Sequence, residues 1–193
     1  KKVVCEMGGT NAIIVDGDAD LDEAVKGVLG SAFGFQGQKC SACSRVIVLE
    51  SCYDDFRDRL VEATRSLVIG SAADVANSIG PVVDAEAKQK IESYIELGKQ
   101  EGRLLIQREV PSQGSFVGPT IFEDVPPDAR IAQEEIFAPV VAAFSFDTEQ
   151  QAIDLANGTD YGLVTGIWTK DGARAHRPER RRNCVRLRTR ARG

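Results

Sequence analysis

Short apolar runs alternate with amphipathic stretches along most of this chain. Ala12-Ile13-Ile14-Val15 is preceded by Gly8-Gly9 and followed by Asp16-Gly17, the pattern of a short buried strand between turns. Leu21, Ala24, Val25, Val28, Leu29, Ala32 and Phe33 then recur at helical spacing. Asp18, Asp20 and Asp22 stand where the helix dipole is positive, so a helix is predicted over residues 20–34. A glycine-punctuated loop, Gly34-Phe35-Gln36-Gly37-Gln38, leads from it to Cys40. Arg45-Val46-Ile47-Val48-Leu49 reads as a second buried strand. Ser51 with Asp54 predicts a capping box before a helix carrying Tyr53, Phe56, Leu60 and Leu67. A third helix is predicted over 84–101, ending at Gly102, and a fourth over 148–156, stopped by Asn157-Gly158. Strand-like runs lie at 104–106, 120–122, 140–144 and 163–168. Repeated strand-helix units predict an α/β fold, an open, largely parallel sheet with flanking helices, over residues 1–170.

Composition narrows the function classes. A length of 193 residues suffices for one sizeable core, and 42% hydrophobic with 27% charged residues is ordinary for a globular protein. No apolar run approaches the roughly 20 residues of a membrane span. Glu6 interrupts the first residues too early for a secretory apolar segment. The odd number of cysteines, Cys5, Cys40, Cys43, Cys52 and Cys184, follows no disulfide framework and fits a reducing cytoplasm.

The net charge of −5 conceals an asymmetry, because residues 171–193 hold nine arginines, no lysine and only Asp171 and Glu179 as acids. The tail is therefore strongly basic and the body acidic, which argues against a nucleic-acid surface on the body. Without apolar periodicity, the tail is expected to be disordered or not native sequence, such as an out-of-frame reading of a GC-rich gene. A basic RNA- or lipid-binding arm on a non-catalytic module is the alternative.

A catalytic cysteine must be exposed, held in a tight loop and kept partly as thiolate; Cys40, beyond a glycine-rich turn and beside Lys39, meets that description. The Cys40-x-x-Cys43 spacing also permits a redox dithiol or half a zinc site. There is no second such pair, and the one histidine, His176, lies in the tail, so no metal and no Cys-His dyad is expected. Carboxylates remain as bases. Glu6 stands directly before a glycine turn, and Glu134-Glu135-Ile136-Phe137-Ala138-Pro139 sets two acids against an apolar turn.

Glu6-Met7-Gly8-Gly9, Gly37-Gln38-Lys39-Cys40, Glu134-Glu135-Ile136-Phe137-x-Pro139 and Tyr161-Gly162-Leu163 resemble, in order and spacing, the motif series of the aldehyde dehydrogenase superfamily. Glu6 and Cys40 are 34 residues apart and Cys40 and Glu135 are 95 apart, close to the family pattern. The run from Phe35 to Arg45 looks most like the branch that oxidises L-glutamate γ-semialdehyde in proline catabolism, with an aldehyde dehydrogenase of other substrate range as the alternative.

The resemblance implies that Cys40 is the nucleophile and Glu6 the base that activates water. It implies that Glu135 binds the nicotinamide ribose of NAD (or NADP) with Phe137 packed beside it, and that Lys39 and Ser41 hold the substrate carboxylate. It further implies a small-molecule aldehyde as partner and a homo-oligomer in the complete enzyme. The family's glycine after Phe137 is Ala138 here. Its cofactor-binding domain would precede Lys1, so residues 1–170 are expected to be a partial catalytic domain, inactive alone.

Overall fold

The computed structural model describes residues 2–4 and 6–175, and the backbone of 185–187. Cys5, His176 and Cys184 lie outside the described residues. Among the described residues, seven strands make one sheet: β1 (Asn11–Val15), β2 (Cys43–Leu49), β3 (Arg103–Gln107), β4 (Thr120–Glu123), β5 (Val140–Phe146), β6 (Thr165–Trp168) and β7 (Val185–Leu187). Their spatial order is β3-β4-β5-β2-β1-β6-β7, and every pairing is parallel except β3 with β4. The largely parallel α/β architecture predicted from the alternation is the one observed.

Side-chain alternation divides the core into two layers. Val15, Val46, Val48, Val141 and Ala143 pack on one face with Val25 and Val28 of α1 (Leu21–Ala32) and Phe56 and Leu60 of α2 (Glu50–Arg65). Ala12, Ile14, Ile47, Ala142 and Phe144 face the other way. They meet Ile91 and Ile95 of α3 (Ala85–Glu101), Ile131 of α4 (Arg130–Gln133) and Ala152 of α5 (Glu149–Asn157). Ile47, Phe56 and Phe122 are almost wholly excluded from solvent, and burying such a side chain contributes about 1.5–3 kcal/mol.

Local signals place most helix starts. The Asp20 side chain accepts from Glu23 N and caps α1, and Asp84 accepts from Ala87 N at 2.7 Å to cap α3. Thr148 and Gln151 form a reciprocal capping box on α5. The capping box predicted at Ser51 is absent: α2 begins at Glu50, its N-cap is Leu49, and no side chain caps it. Leu49 is still paired with Phe146 in the sheet, so the chain turns from strand to helix with no intervening residue, and Ser51 already lies inside the first turn. Leu67 falls beyond the end of that helix.

Parallel order determines where the motifs meet. Glu6 to Gly9 precede β1, Cys40 precedes β2, Glu135 to Phe137 precede β5, and Tyr161 to Leu163 precede β6. Four segments that each run into a parallel strand from the same end must converge on one edge of the sheet. Of the Arg-rich segment, Gly172–Ala175 form the short helix α6, and Arg174 pairs with the buried Asp16 at 2.7 Å. Val185–Leu187 pair with β6, and the other residues after Ala175 lie outside the described residues.

Candidate active site

Cys40 sits in a turn closed by the hydrogen bond from Ala42 N to Lys39 O at 3.0 Å, and it is exposed. The approach to that turn is unusual. Phe35, Gln36 and Gly37 all have left-handed φ, at 58°, 58° and 66°. A Cβ on Gly37 would collide with the carbonyl of Ala138, so glycine there is what lets the Cys40 loop stack on the turn after Phe137. Phe137 is itself left-handed (φ 62°) and 41% exposed. Ala138 is not among the residues of positive φ, and it is buried, so alanine is accommodated there without backbone strain.

The other motif cysteine is of a different kind. Cys43 opens β2, is buried, and donates its thiol to Arg45 O at 3.3 Å; burial pushes its pKa up to about 12. It is a core residue rather than half of a reactive pair. Cys52 is half-buried on α2, and burial raises its pKa as well. Among the described residues no cluster of three or more His, Cys, Asp or Glu side chains is placed to hold a metal ion.

Glu6 and Met7 are exposed, next to the glycine pair. The Glu135 carboxylate reaches that pair: its Oε1 accepts from Gly9 N at 2.9 Å, and a Cβ on Gly8 would collide with its Oε2. Gly8 therefore serves a close approach between the segment bearing Glu6 and the side chain of Glu135. Next to it, Phe35, Val83, Ile136, Phe137 and Lys90 line an apolar hollow of about 350 Å³. Lys39 and Ser41 line a second cleft, of about 310 Å³, with Asn11, Ser31 and Trp168. The four motif segments thus meet at one edge of the sheet, with Phe137 on one hollow and Lys39 and Ser41 on another.

Three supporting groups carried no role in the sequence reading. Asn11 is buried and spans the site, donating Nδ2 to Cys40 O at 2.7 Å and to Ala42 O at 2.9 Å while Oδ1 accepts from Val164 N at 3.2 Å. Arg45 is 4% exposed and donates to Thr10 O, Leu155 O and Ala156 O, where the carbonyls ending α5 offset its charge. Burial lowers its pKa to about 10. Glu134 is clamped by Arg130, at 2.8 and 3.0 Å, and by Tyr94 OH at 2.5 Å; these partners hold its carboxyl down to about 2. Asn11 showed in the sequence only as a polar residue opening a strand, and Glu134 only as the first of two acids before an apolar turn.

A family model described as the aldehyde dehydrogenase family matches residues 1–187. The chain belongs to the aldehyde dehydrogenase family. Within it, the chain is 50% identical over 174 residues to 1-pyrroline-5-carboxylate dehydrogenase of Geobacillus thermodenitrificans, a match covering 90% of this chain and 34% of that protein. A solved 1-pyrroline-5-carboxylate dehydrogenase from Thermus with bound NAD superposes with a TM-score of 0.84 at 45% identity, over 88% of this chain and 33% of that one. Proline utilization A from Bdellovibrio bacteriovorus gives a TM-score of 0.91 at 49% identity, over 94% of this chain and 19% of its own length. The chain spans about a third of the length of the curated relatives it matches. No helix among the described residues is long and apolar enough to cross a membrane.

Proposed function

We propose that this chain supplies the nucleophile and base of an NAD(P)-dependent aldehyde dehydrogenase that oxidises L-glutamate γ-semialdehyde, the open form of 1-pyrroline-5-carboxylate, to glutamate. The observation that carries the reading is the exposed Cys40, in a turn whose carbonyls are tied by Asn11 to the segment that bears Glu6. Relatives named 1-pyrroline-5-carboxylate dehydrogenase support the substrate, and Lys39 with Ser41 beside one cleft offers the cation and hydroxyl that a substrate carboxylate needs.

In this reading the Cys40 thiolate adds to the aldehyde carbon, the carbonyl electrons move to oxygen, and the Cys40 backbone N–H donates to the resulting oxyanion. The chemistry supplied by bound NAD is acceptance of the hydride lost from that carbon, which leaves Cys40 acylated. Glu6 then takes a proton from water as the water oxygen attacks the thioester; the C–S bond breaks and the thiolate returns. The residues suit such a cofactor. Glu135 presents a carboxylate to accept from ribose hydroxyls, in a cradle that a Cβ on Gly8 would fill, and the adjoining apolar hollow with the exposed Phe137 suits a planar ring. The complete protein is proposed to act in the cytoplasm as a homo-oligomer. The 193 residues alone are proposed to be inactive, because the relatives that do this chemistry are about three times as long.

In the complete protein, Cys40→Ser should abolish turnover. Glu6→Gln should retain a pre-steady-state burst of reduced cofactor while steady-state turnover falls on the order of 100-fold. Turnover by Cys40→Ser, or loss of the burst in Glu6→Gln with cofactor still bound, would overturn the assignment.

A further inference from the structure

Asn11 is a buried carboxamide with both amide hydrogens and its oxygen engaged, and its three partners lie on two other segments of the site. We infer that Asn11 is a positioning residue for catalysis: it sets the backbone of the Cys40 turn and thereby aims the Cys40 thiol. The inference rests on the reading of Cys40 as nucleophile.

The bonding pattern explains the choice of side chain. The turn has the carbonyls of Lys39, Cys40, Ser41 and Ala42 within four residues; the first is taken by Ala42 N, and the second and fourth are taken by Asn11. Holding the carbonyl of Cys40 restrains rotation about its Cα–C bond and with it the direction in which Cβ leaves the backbone, so that Sγ is confined to the staggered positions about that one axis. Gly9 leaves room for this bond: a Cβ there would stand 2.8 Å from Asn11 Oδ1 and 3.0 Å from the Cys40 carbonyl oxygen. Only a carboxamide offers two donors to two carbonyls and an acceptor to Val164 N. Aspartate has the same shape, but its oxygens would face the carbonyls and repel them; serine is shorter and brings one donor. The Val164 bond extends the clamp to the chain entering β6, 153 residues away, so the turn is held against a strand of the sheet rather than against its own loop.

A positioning role differs from a purely structural one in what it moves. Thiol placement governs attack on the aldehyde and not the affinity for cofactor, which is held by Glu135 and Phe137 in the reading above. A nucleophile misplaced by about 1 Å costs on the order of 100-fold in rate. The test is made on the complete protein, with Asn11→Asp and Asn11→Ser. Acylation measured by single turnover should fall on the order of 100-fold in both, with the KM for cofactor changed by less than about twofold.

The aspartate variant carries a further signature. Protonation restores one donor toward the turn, so the ratio of its acylation rate to that of wild type should rise as pH is lowered, while the ratio for Asn11→Ser stays flat. Alkylation of Cys52 serves as a control for loosening of the whole fold. Acylation within about threefold of wild type in both variants would overturn the inference. So would an equal gain in Cys40 and Cys52 labelling together with a fall in thermal midpoint, which marks a structural role. Full turnover by Cys40→Ser would instead sink the underlying nucleophile reading, an outcome independent of the Asn11 variants.

Discussion

Glu135 and Gly9 are joined across 126 residues of chain: the Glu135 carboxylate accepts the backbone N–H of Gly9 at 2.9 Å, with the Cα of Gly8 against its second oxygen. One motif therefore has a glycine because another motif has a glutamate. Gly8→Ala should push the carboxylate out of its cradle. In the complete protein the KM for cofactor is expected to rise about tenfold or more while iodoacetamide labelling of Cys40 is unchanged. An unchanged KM would separate Glu135 from cofactor binding.

The three described thiols should be labelled in a fixed order. Cys40 is exposed in a turn, Cys52 is half-buried, and Cys43 is buried with its pKa pushed up to about 12. Limiting iodoacetamide at pH 8 followed by mass mapping should find Cys40 first, Cys52 later and Cys43 last. Early labelling of Cys43 would mean that β2 opens before the Cys40 turn does.

Gly37 and Ala138 face each other, but their tolerance differs. Gly37→Ala puts a methyl in a left-handed residue and against the Ala138 carbonyl, and should cost more than the roughly 1–2 kcal/mol of the backbone conformation alone. Ala138→Gly removes a buried methyl and adds backbone freedom, a loss of about 0.5–1 kcal/mol with cofactor KM unchanged. Urea denaturation of both variants gives the comparison.

The Glu134 clamp makes an acid-side prediction. Its folded pKa of about 2 lies below the ordinary 4.5, so its contribution is complete above about pH 4.5 and is lost as pH falls through about 2. The difference in thermal midpoint between wild type and Glu134→Gln should be constant from neutral pH down to about 5 and close below it. A constant difference down to pH 2 would show that the Arg130 pairing does not depend on the charge of Glu134.

Arg45 should be the costliest single truncation outside the apolar core. Arg45→Met leaves the carbonyls of Thr10, Leu155 and Ala156 without their donor in a buried place, a loss of roughly 3 kcal/mol in stability. Chemical denaturation midpoints read it directly.

What was legible in the sequence follows the range of the interactions involved. The periodicity of Leu21 to Phe33 and the short apolar runs of β1, β2 and β5 are local, and they pointed to the helices, the strands and the parallel sheet. The four motifs could be picked out because glycine and the catalytic residue types are rare in combination. Long-range bonds left no local mark. Asn11 looks like any polar residue at the start of a strand until Cys40, Ala42 and Val164 are brought to it, and Arg45 looks like an exposed strand residue until α5 ends over it. The Ser51 capping signal misled because pairing of Leu49 with Phe146 prevails over a local side-chain bond. The left-handed conformations of Phe35, Gln36 and Phe137 could not be read from residue type, since non-glycine residues avoid that region unless packing imposes it.

The order of strands also bears on how the protein folds. β2, at the centre of the site, lies between β1 and β5, and β5 begins more than ninety residues after β2 ends; Val164, which bonds Asn11 just before β6, comes later still. Closing loops of that length is slow, and the Cys40 turn gains its last anchor only when Val164 arrives. During refolding, the helices should therefore gain their far-ultraviolet signal well before Cys40 acquires its native reactivity. The thiol is in that sense a clock for the final pairing of the sheet, and translation from the N-terminus would leave it unaimed until the chain beyond residue 164 has emerged.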